Sequence, residues 1–234
     1  MNYFGIGSED KISWAAWLRP ICGGLFLTAA IYSALAQGPG PAGVGARQQG
    51  PPPTPPTAGA HLEIVDGSAT YSVTEQFVGI NFPNDAIGTS TTVAGTLEIA
   101  PDGSISPGSK LTIDLRNLKS DQEQRDNYIK NRTLETGKYS FAEFVPTKIQ
   151  GLPVLIPTQG QTGFELTGNL TIHGVTKEVT FQGIAVFGRD ATVAGRGKTS
   201  FTFATFGLTK PAIGRLVSVD DKINLDIVFK FKRS

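Results

Sequence analysis

Residues 163–187 read G-F-E-L-T-G-N-L-T-I-H-G-V-T-K-E-V-T-F-Q-G-I-A-V-F, and this stretch decides the fold. Apolar residues and glycines alternate with polar residues along both halves, and only the last few positions are apolar on both faces. A period of two is typical of β-strands that have one apolar face and one wetter face. The interruption from His173-Gly174 to Lys177 therefore predicts a long β-hairpin that turns at this point.

A single hairpin is only marginally stable in water, so its apolar face requires more sheet to cover it. The same alternation recurs elsewhere in the chain, with Tyr139–Ile149 bent at Pro146. The further strands predicted in this way are residues 69–77, 93–99, 110–118, 139–149, 197–206 and 222–231. The domain formed by residues 62–234 is therefore expected to be all-β.

About eight strands with their turns fit the length of this domain. We expect a closed antiparallel barrel, because closure removes the unprotected edges that long strands leave in an open sheet. A barrel of eight strands is either filled by side chains or holds one small ligand. A two-sheet sandwich remains the alternative, since periodicity does not separate the two architectures.

One short helix is expected to cap the barrel. The spacing of Ser120 and Glu123 matches a capping box, which predicts that the helix begins there. The side chains predicted to share one face of this helix are Arg125, Tyr128, Ile129 and Arg132.

The N-terminal part of the chain has the pattern of an export signal followed by a spacer. The mostly apolar run at residues 21–35 ends in Ala34-Leu35-Ala36, which predicts a signal peptide at residues 1–36. An uncleaved anchor near a membrane is the alternative. The Pro/Gly-rich residues 37–61 predict a disordered linker, and the protein is expected to be periplasmic or secreted.

The composition argues against several classes of partner and site. Lys plus Arg number 21 and Asp plus Glu number 20, so no concentrated basic patch for nucleic acid is expected. The single cysteine, Cys22, permits no disulfide within the chain and no Cys-based metal site. No phosphate-binding glycine motif occurs, and we predict neither a metal nor a cofactor.

The sequence also contains little that indicates catalysis. His173 is the one histidine of the hairpin region, and it is expected to be a turn residue without a nucleophile beside it. The acidic pairs Asp220-Asp221 and Asp121 with Glu123 are expected to be solvated or to complement the helix dipole. We therefore predict that the protein is not an enzyme. A lipid hydrolase or isomerase that uses His173 as its base is a competing hypothesis.

Several segments resemble the YceI-like lipid/polyisoprenoid-binding family. The most specific is residues 170–177, L-T-I-H-G-V-T-K, followed by Val179-Thr180-Phe181. Arg125-Asp126 and Phe206-Gly207-Leu208 match in the same order. The chain departs from the family pattern at Ala204-Thr205 and at residues 132–136, which lack the usual polar pair and the usual phenylalanines.

This resemblance implies an exported, lipocalin-like barrel, often a homodimer, with an apolar pore for an isoprenoid tail. Small residues among the bulky ones, such as Gly95, Gly168, Gly183 and Ala185, are expected to leave room for a channel. The residues predicted to bind the ligand are Leu111, Ile113, Tyr128, Phe164, Leu166, Leu170, Phe181, Gly183, Ala185, Phe203, Leu225, Ile227 and Phe229.

The expected function is to sequester or carry a polyisoprenoid or a similar long-chain apolar ligand. Each buried methylene contributes about 0.8 kcal/mol, so apolar walls alone supply affinity. The alternative is a structural or adhesive β-sandwich on a proline-rich stalk, whose interior would be fully packed.

Overall fold

A computed structural model of the 234-residue chain describes residues 59–79, 82–153, 156–212 and 216–234. The predicted leader and most of the predicted linker lie outside the described residues. The strands are β1 Ala60–Phe77, β2 Asn84–Ser90, β3 Val93–Ile99, β4 Lys110–Asp114, β5 Lys119–Ser120, β6 Phe141–Gln150, β7 Gly160–Ile172, β8 Val175–Phe187, β9 Thr192–Thr202, β10 Leu216–Val219 and β11 Lys222–Arg233. The helical elements are α1 at Glu123–Tyr128, a wider π-turn at Ile129–Thr133, and two 3₁₀ turns at Leu115–Asn117 and Phe203–Phe206.

The sheet closes on itself through its first and last strands. One edge of β1 pairs with β11, from Leu62 opposite Arg233 to Ser72 opposite Asn224. The other edge pairs with β3 and then with β2, and every pairing is antiparallel. The predicted closed antiparallel barrel is confirmed, and the two-sheet alternative is wrong because β1 is shared by both ends of the sheet.

The barrel has eight strands, because three of them are broken into two segments. Both β2 and β3 pair with β1 on either side of residues 91–92. In the same way β4 pairs with β3, and β5 pairs with β2. Both β10 and β11 pair with β1 on either side of Asp220-Asp221. These breaks let the barrel wall bend around its interior.

The central hairpin consists of β7 and β8, and its turn is shorter than predicted. Ile172 pairs with Val175, so only His173 and Gly174 form the loop. Both have positive φ, 53° and 75°, as a two-residue type I′ turn requires. The expected interruption through Lys177 is wrong, because Lys177 pairs with Leu170 inside the ladder.

The capping helix is present, but the predicted capping box is wrong. Gln122 precedes α1 and makes no side-chain capping bond. Ser120 lies in β5 opposite Gly88, and its Oγ donates to Oδ1 of Asp126 at 2.6 Å. Ser120 thus pairs as a strand residue, and its hydroxyl bonds the side chain of Asp126 rather than capping a backbone N–H of the helix. In the described residues, no helix has the length and apolar character needed to cross a membrane.

The strand predicted at residues 197–206 ends earlier, at Thr202. Thr202 and Thr205 form a capping box that starts the 3₁₀ turn Phe203–Phe206, and Gly207 ends it with φ 63°. Phe206 is fully buried and packs edge-on against Phe201, with ring centroids 4.8 Å apart. Thr205, one of the departures from the family pattern, therefore has a structural role at this end of the barrel.

Candidate functional site

The barrel encloses two adjoining cavities. The loop-side chamber, at the end near Leu62, Leu152 and Phe231, has a volume of about 90 Å³. The helix-side chamber, near Ile129 and Leu134, has a volume of about 110 Å³. Ile113, Ala142 and Leu170 line both chambers, so they lie where the two chambers meet, a position we call the partition. The interior that the sequence predicts as a channel thus consists of two adjoining spaces that share these three residues.

The loop-side chamber is entirely apolar. Every described side chain that lines it belongs to a hydrophobic residue, and Gly197 completes the wall. Aromatic edges meet inside this wall: the rings of Phe144 and Phe181 lie 5.2 Å apart, and those of Phe164 and Phe229 lie 5.9 Å apart. Such a surface offers a ligand dispersion contacts and removal from water, with no polar partner.

Glycines do not create the open space, contrary to expectation. A Cβ on Gly168 would lie 2.7 Å from the ring of Phe144, and one on Gly195 would lie 2.7 Å from the ring of Phe229. Gly95 stands where a Cβ would meet the backbone oxygen of Lys110. Rings from neighbouring strands therefore cover Gly168 and Gly195, as aromatic residues do at glycine sites in sheets, whereas the backbone of β4 lies against Gly95.

Most of the predicted ligand-binding residues line the chambers. Those at the loop-side chamber are Leu111, Ile113, Phe164, Leu166, Leu170, Phe181, Ala185, Ile227 and Phe229. Those at the helix-side chamber are Ile113, Leu170, Phe203 and Leu225.

Two predicted residues, Gly183 and Tyr128, line neither chamber. Gly183 lies between Phe164 and Gly197 in the sheet, and a Cβ there would be 2.0 Å from the backbone oxygen of Arg196. Tyr128 is the last residue of α1, and the π-turn that follows directs Ile129 and Thr133 to the cavity. The regular helix through Arg132, on which the predicted shared face depended, does not form because α1 ends at Tyr128.

The helix-side chamber has a polar part that the sequence analysis missed. Tyr71, Glu75 and Thr133 line it among apolar residues. The alternation in β1 already held the signal, because Tyr71, Val73 and Glu75 follow one another at a spacing of two. Thr133 donates to the backbone oxygen of Thr209 at 3.2 Å. The Tyr71 hydroxyl is buried and has no hydrogen-bond partner among the residues that the structure describes.

Glu75, one of these polar residues, forms a buried ion pair with Arg125 of α1. Nη2 of Arg125 donates to Glu75 at 3.2 Å, and Nη1 donates to Asp121 at 2.5 Å. The hydrogen bond from Arg125 lowers the pKa of Asp121 below its usual value. Burial disfavours the charge of Arg125, but the hydrogen bond to Asp121 and the nearby charge of Glu75 outweigh it and raise the pKa of Arg125.

His173 lies away from both chambers. Its Nε2 is 2.7 Å from Oε2 of Glu135, and its ring packs edge-on against Tyr139 with centroids 4.7 Å apart. Within the described part of the chain, no three His, Cys, Asp or Glu side chains are grouped so that they could hold a metal ion.

Comparison with known proteins places this barrel among related chains. The YceI-like domain family matches residues 65–231. A UPF0312 protein of Pseudomonas putida strain W619 is 37% identical over 93 residues, which are 38% of this chain and 41% of that protein. A UPF0312 protein of Vibrio parahaemolyticus is 31% identical over 126 residues, which are 51% of this chain and 62% of that protein. The chain thus spans less than two thirds of each of these relatives.

Two solved structures share the fold. One is a polyisoprenoid binding domain from Saccharophagus degradans implicated in plant cell wall breakdown, with a TM-score of 0.56 and 12% identity over 74% of this chain and 98% of that one. The other is BcnA of Burkholderia cenocepacia, with a TM-score of 0.51 and 18% identity over 70% of this chain and 95% of that one. At these identities the likeness is one of fold.

Proposed function

The chain belongs to the YceI-like domain family, and from this premise we propose that it binds a long-chain apolar lipid inside the barrel. We propose a polyisoprenoid as the preferred ligand. The observation that carries the proposal is the pair of adjoining chambers, of which the loop-side one is lined by apolar groups alone. The polyisoprenoid binding domain from Saccharophagus degradans has the same fold and supports this choice of ligand class.

The energetics favour such a ligand without specific polar contacts. A buried five-carbon isoprene unit gains about 4 kcal/mol at roughly 0.8 kcal/mol for each carbon. Micromolar affinity corresponds to about 8 kcal/mol, and association itself costs several kcal/mol more. A few isoprene units inside the barrel therefore suffice for tight binding.

Binding of a long chain requires the partition to open. Each chamber is smaller than the engineered cavity of about 150 Å³ that admits benzene. Leu170 and Ile113 line both chambers, and we propose that a change of their rotamers joins the two spaces around a ligand. We expect the ligand to fill one continuous space that combines both chambers.

We propose a carrier rather than a catalyst, because the His173 side chain contacts Glu135 and Tyr139 and lines neither chamber. Export to the periplasm or the medium, and proximity to a membrane, are proposed from the apolar run and the Ala34-Leu35-Ala36 pattern. N-terminal sequencing of protein from the extracellular fraction tests that part, with a mature chain beginning after Ala36 as the expected result. Assembly as a homodimer is a further proposal, tested by sedimentation.

Organic extraction of the purified protein followed by mass spectrometry tests the proposed function. We expect a prenyl lipid to be released in proportion to the protein. The emptied protein should then take up a fluorescent prenyl lipid with saturation at a fixed ratio. Purified protein that releases no lipid on extraction and does not bind added prenyl lipid would contradict the proposal. That result would favour the structural alternative.

A further inference from the structure

The hydroxyl of Tyr71 is an unsatisfied donor in the wall of the helix-side chamber. It is buried, and no described residue accepts a hydrogen bond from it or donates one to it. Buried polar groups in folded proteins are nearly always paired, so an orphan that lines a cavity indicates a partner that binds there.

The position of this hydroxyl is fixed by the sheet. Tyr71 pairs with Gly88 of β2, and its ring lies against that glycine so closely that a Cβ on Gly88 would be 2.3 Å from a ring carbon. Any larger residue at position 88 would displace the ring. Gly88 therefore allows the tyrosine to lie flat on the barrel wall.

The neighbouring polar groups are engaged with one another. Arg125 donates to Glu75, Asp121 and Ser120. The Arg125 guanidinium has no acceptor to offer to the hydroxyl. Ser120 and the backbone before α1 are in turn bound to Asp126. None of these groups is hydrogen-bonded to Tyr71, which leaves its donor to a ligand.

Charge selects the kind of ligand. The groups that act on Tyr71 through space are one guanidinium, Arg125, and three carboxyl groups, Glu75, Asp121 and Asp126. Arg125 acts most strongly of these charges, but its guanidinium is already paired with Glu75 and Asp121, so no unpaired cation is left there for a phosphate or carboxylate. Burial, the largest effect, raises the pKa of Tyr71 well above its usual value, so the group remains a neutral donor.

We propose that Tyr71 donates a hydrogen bond to the oxygen of a lipid head group that is polar but uncharged, such as an alcohol or a carbonyl. The lipid tail then runs past Leu170 and Ile113 into the wholly apolar loop-side chamber. This inference rests on the proposed function, because it assigns the head and the tail of the same bound lipid.

Competition against a fluorescent prenyl lipid tests the assignment with three probes of equal chain length. These probes are geranylgeraniol, the corresponding hydrocarbon without the hydroxyl, and geranylgeranyl diphosphate. Each is measured with the unmodified protein, with Tyr71→Phe and with the control Tyr139→Phe, whose ring packs on the outer hairpin turn. Comparing each variant with the unmodified protein for the same lipid cancels differences in lipid solubility.

We expect Tyr71→Phe to weaken binding of the alcohol about three- to tenfold, the effect of one hydrogen bond. Binding of the hydrocarbon should not change, Tyr139→Phe should change neither, and the unmodified protein should bind the diphosphate at least about tenfold more weakly than the alcohol. Equal losses for alcohol and hydrocarbon, or tight binding of the diphosphate, would overturn the inference and leave the proposed function intact. Failure of the unmodified protein to bind any of the three would remove the proposed function itself.

A second readout does not require a substitution. In protein labelled with ¹³C at the tyrosine Cζ, the Tyr71 signal, assigned by its absence from Tyr71→Phe, should shift on addition of the alcohol and not of the hydrocarbon. An unchanged signal in protein saturated with alcohol would also overturn the inference.

Discussion

Arg125 and Glu75 form an ion pair inside the protein, with Nη2 of Arg125 3.2 Å from Oε2 of Glu75 and the two side chains only 7% and 5% exposed. The pair links α1, which contains Arg125, to β1, which contains Glu75, at the wall of the helix-side chamber. Loss of one partner would leave the other charge buried and unpaired, which costs far more than loss of a surface pair.

The first prediction concerns this pair. Arg125→Met should lower the free energy of unfolding by about 3–5 kcal/mol, measured by urea denaturation. The double variant Arg125→Met/Glu75→Leu should recover part of the loss, because no charge is then left unpaired. The control is Lys110→Met, which breaks a pair with Glu143 whose side chains are 45% and 42% exposed and should cost less than about 1 kcal/mol. Equal losses in Arg125→Met and Lys110→Met would contradict the assignment.

A second prediction places a charge in the wall of the cavity. Ile227 lines the loop-side chamber, and Ile227→Asp should reduce prenyl-lipid affinity at least about tenfold, since a carboxylate beside an apolar chain remains unsolvated. The next residue, Val228, is 47% exposed, so Val228→Asp is the matched control and should bind as the unmodified protein does. Ile227→Asn serves if the charged variant does not fold. Full lipid uptake by a folded Ile227 variant would show that this wall does not contact the ligand.

The third prediction concerns the partition. Ala142 lines both chambers, and Ala142→Phe should close the passage between them. Binding of a C40 prenyl chain should weaken at least about tenfold, whereas binding of a C10 chain should change little. Overpacking should also cost about 1–3 kcal/mol of stability. Val145→Phe on the outward face of the same strand is the control. If Ala142→Phe weakens both lipids equally, the chambers do not act as one binding space.

The fourth prediction concerns Gly183, a position expected from the sequence to line the pore. A Cβ there would be 2.0 Å from the backbone oxygen of Arg196, so even Gly183→Ala should destabilise the barrel by about 1–3 kcal/mol. At Gly163, on the paired strand, the nearest atom would be 3.8 Å away, and Gly163→Ala should be neutral or slightly stabilising. Thermal melting of the two variants makes the comparison. A Gly183→Ala protein as stable as Gly163→Ala would show that β8 and β9 are not so closely apposed.

The barrel and most of its inner wall could be predicted because alternation along a strand fixes which residues point inward. Leu170 and Ile227 were identified in this way and line the chambers. The limits of the elements were predicted less well, since they depend on pairing: Ser120 belongs to a strand because it pairs with Gly88, and Lys177 because it pairs with Leu170.

The division of the interior could not be predicted from the sequence. Glycine was expected to leave a hollow, but whether space remains depends on rings from neighbouring strands, such as Phe144 over Gly168. Alternation places Glu75 on the inward face with Tyr71 and Val73, but the partner that allows its charge to be buried is Arg125, which lies 50 residues farther along the chain. A charged residue in an apolar alternation thus indicates a distant partner as well as a polar end of the cavity.

The junction of Leu62 with Arg233 has a consequence for biosynthesis. A nascent chain cannot close the barrel until its last strand has left the ribosome. Until then the apolar faces of the earlier strands are not fully covered. Contacts this far apart in sequence form slowly, and the exposed intermediate is prone to aggregate. We therefore expect newly made protein to need a holding chaperone, and a chain cut short before residue 222 to aggregate, since β1 would lack its partner strand β11.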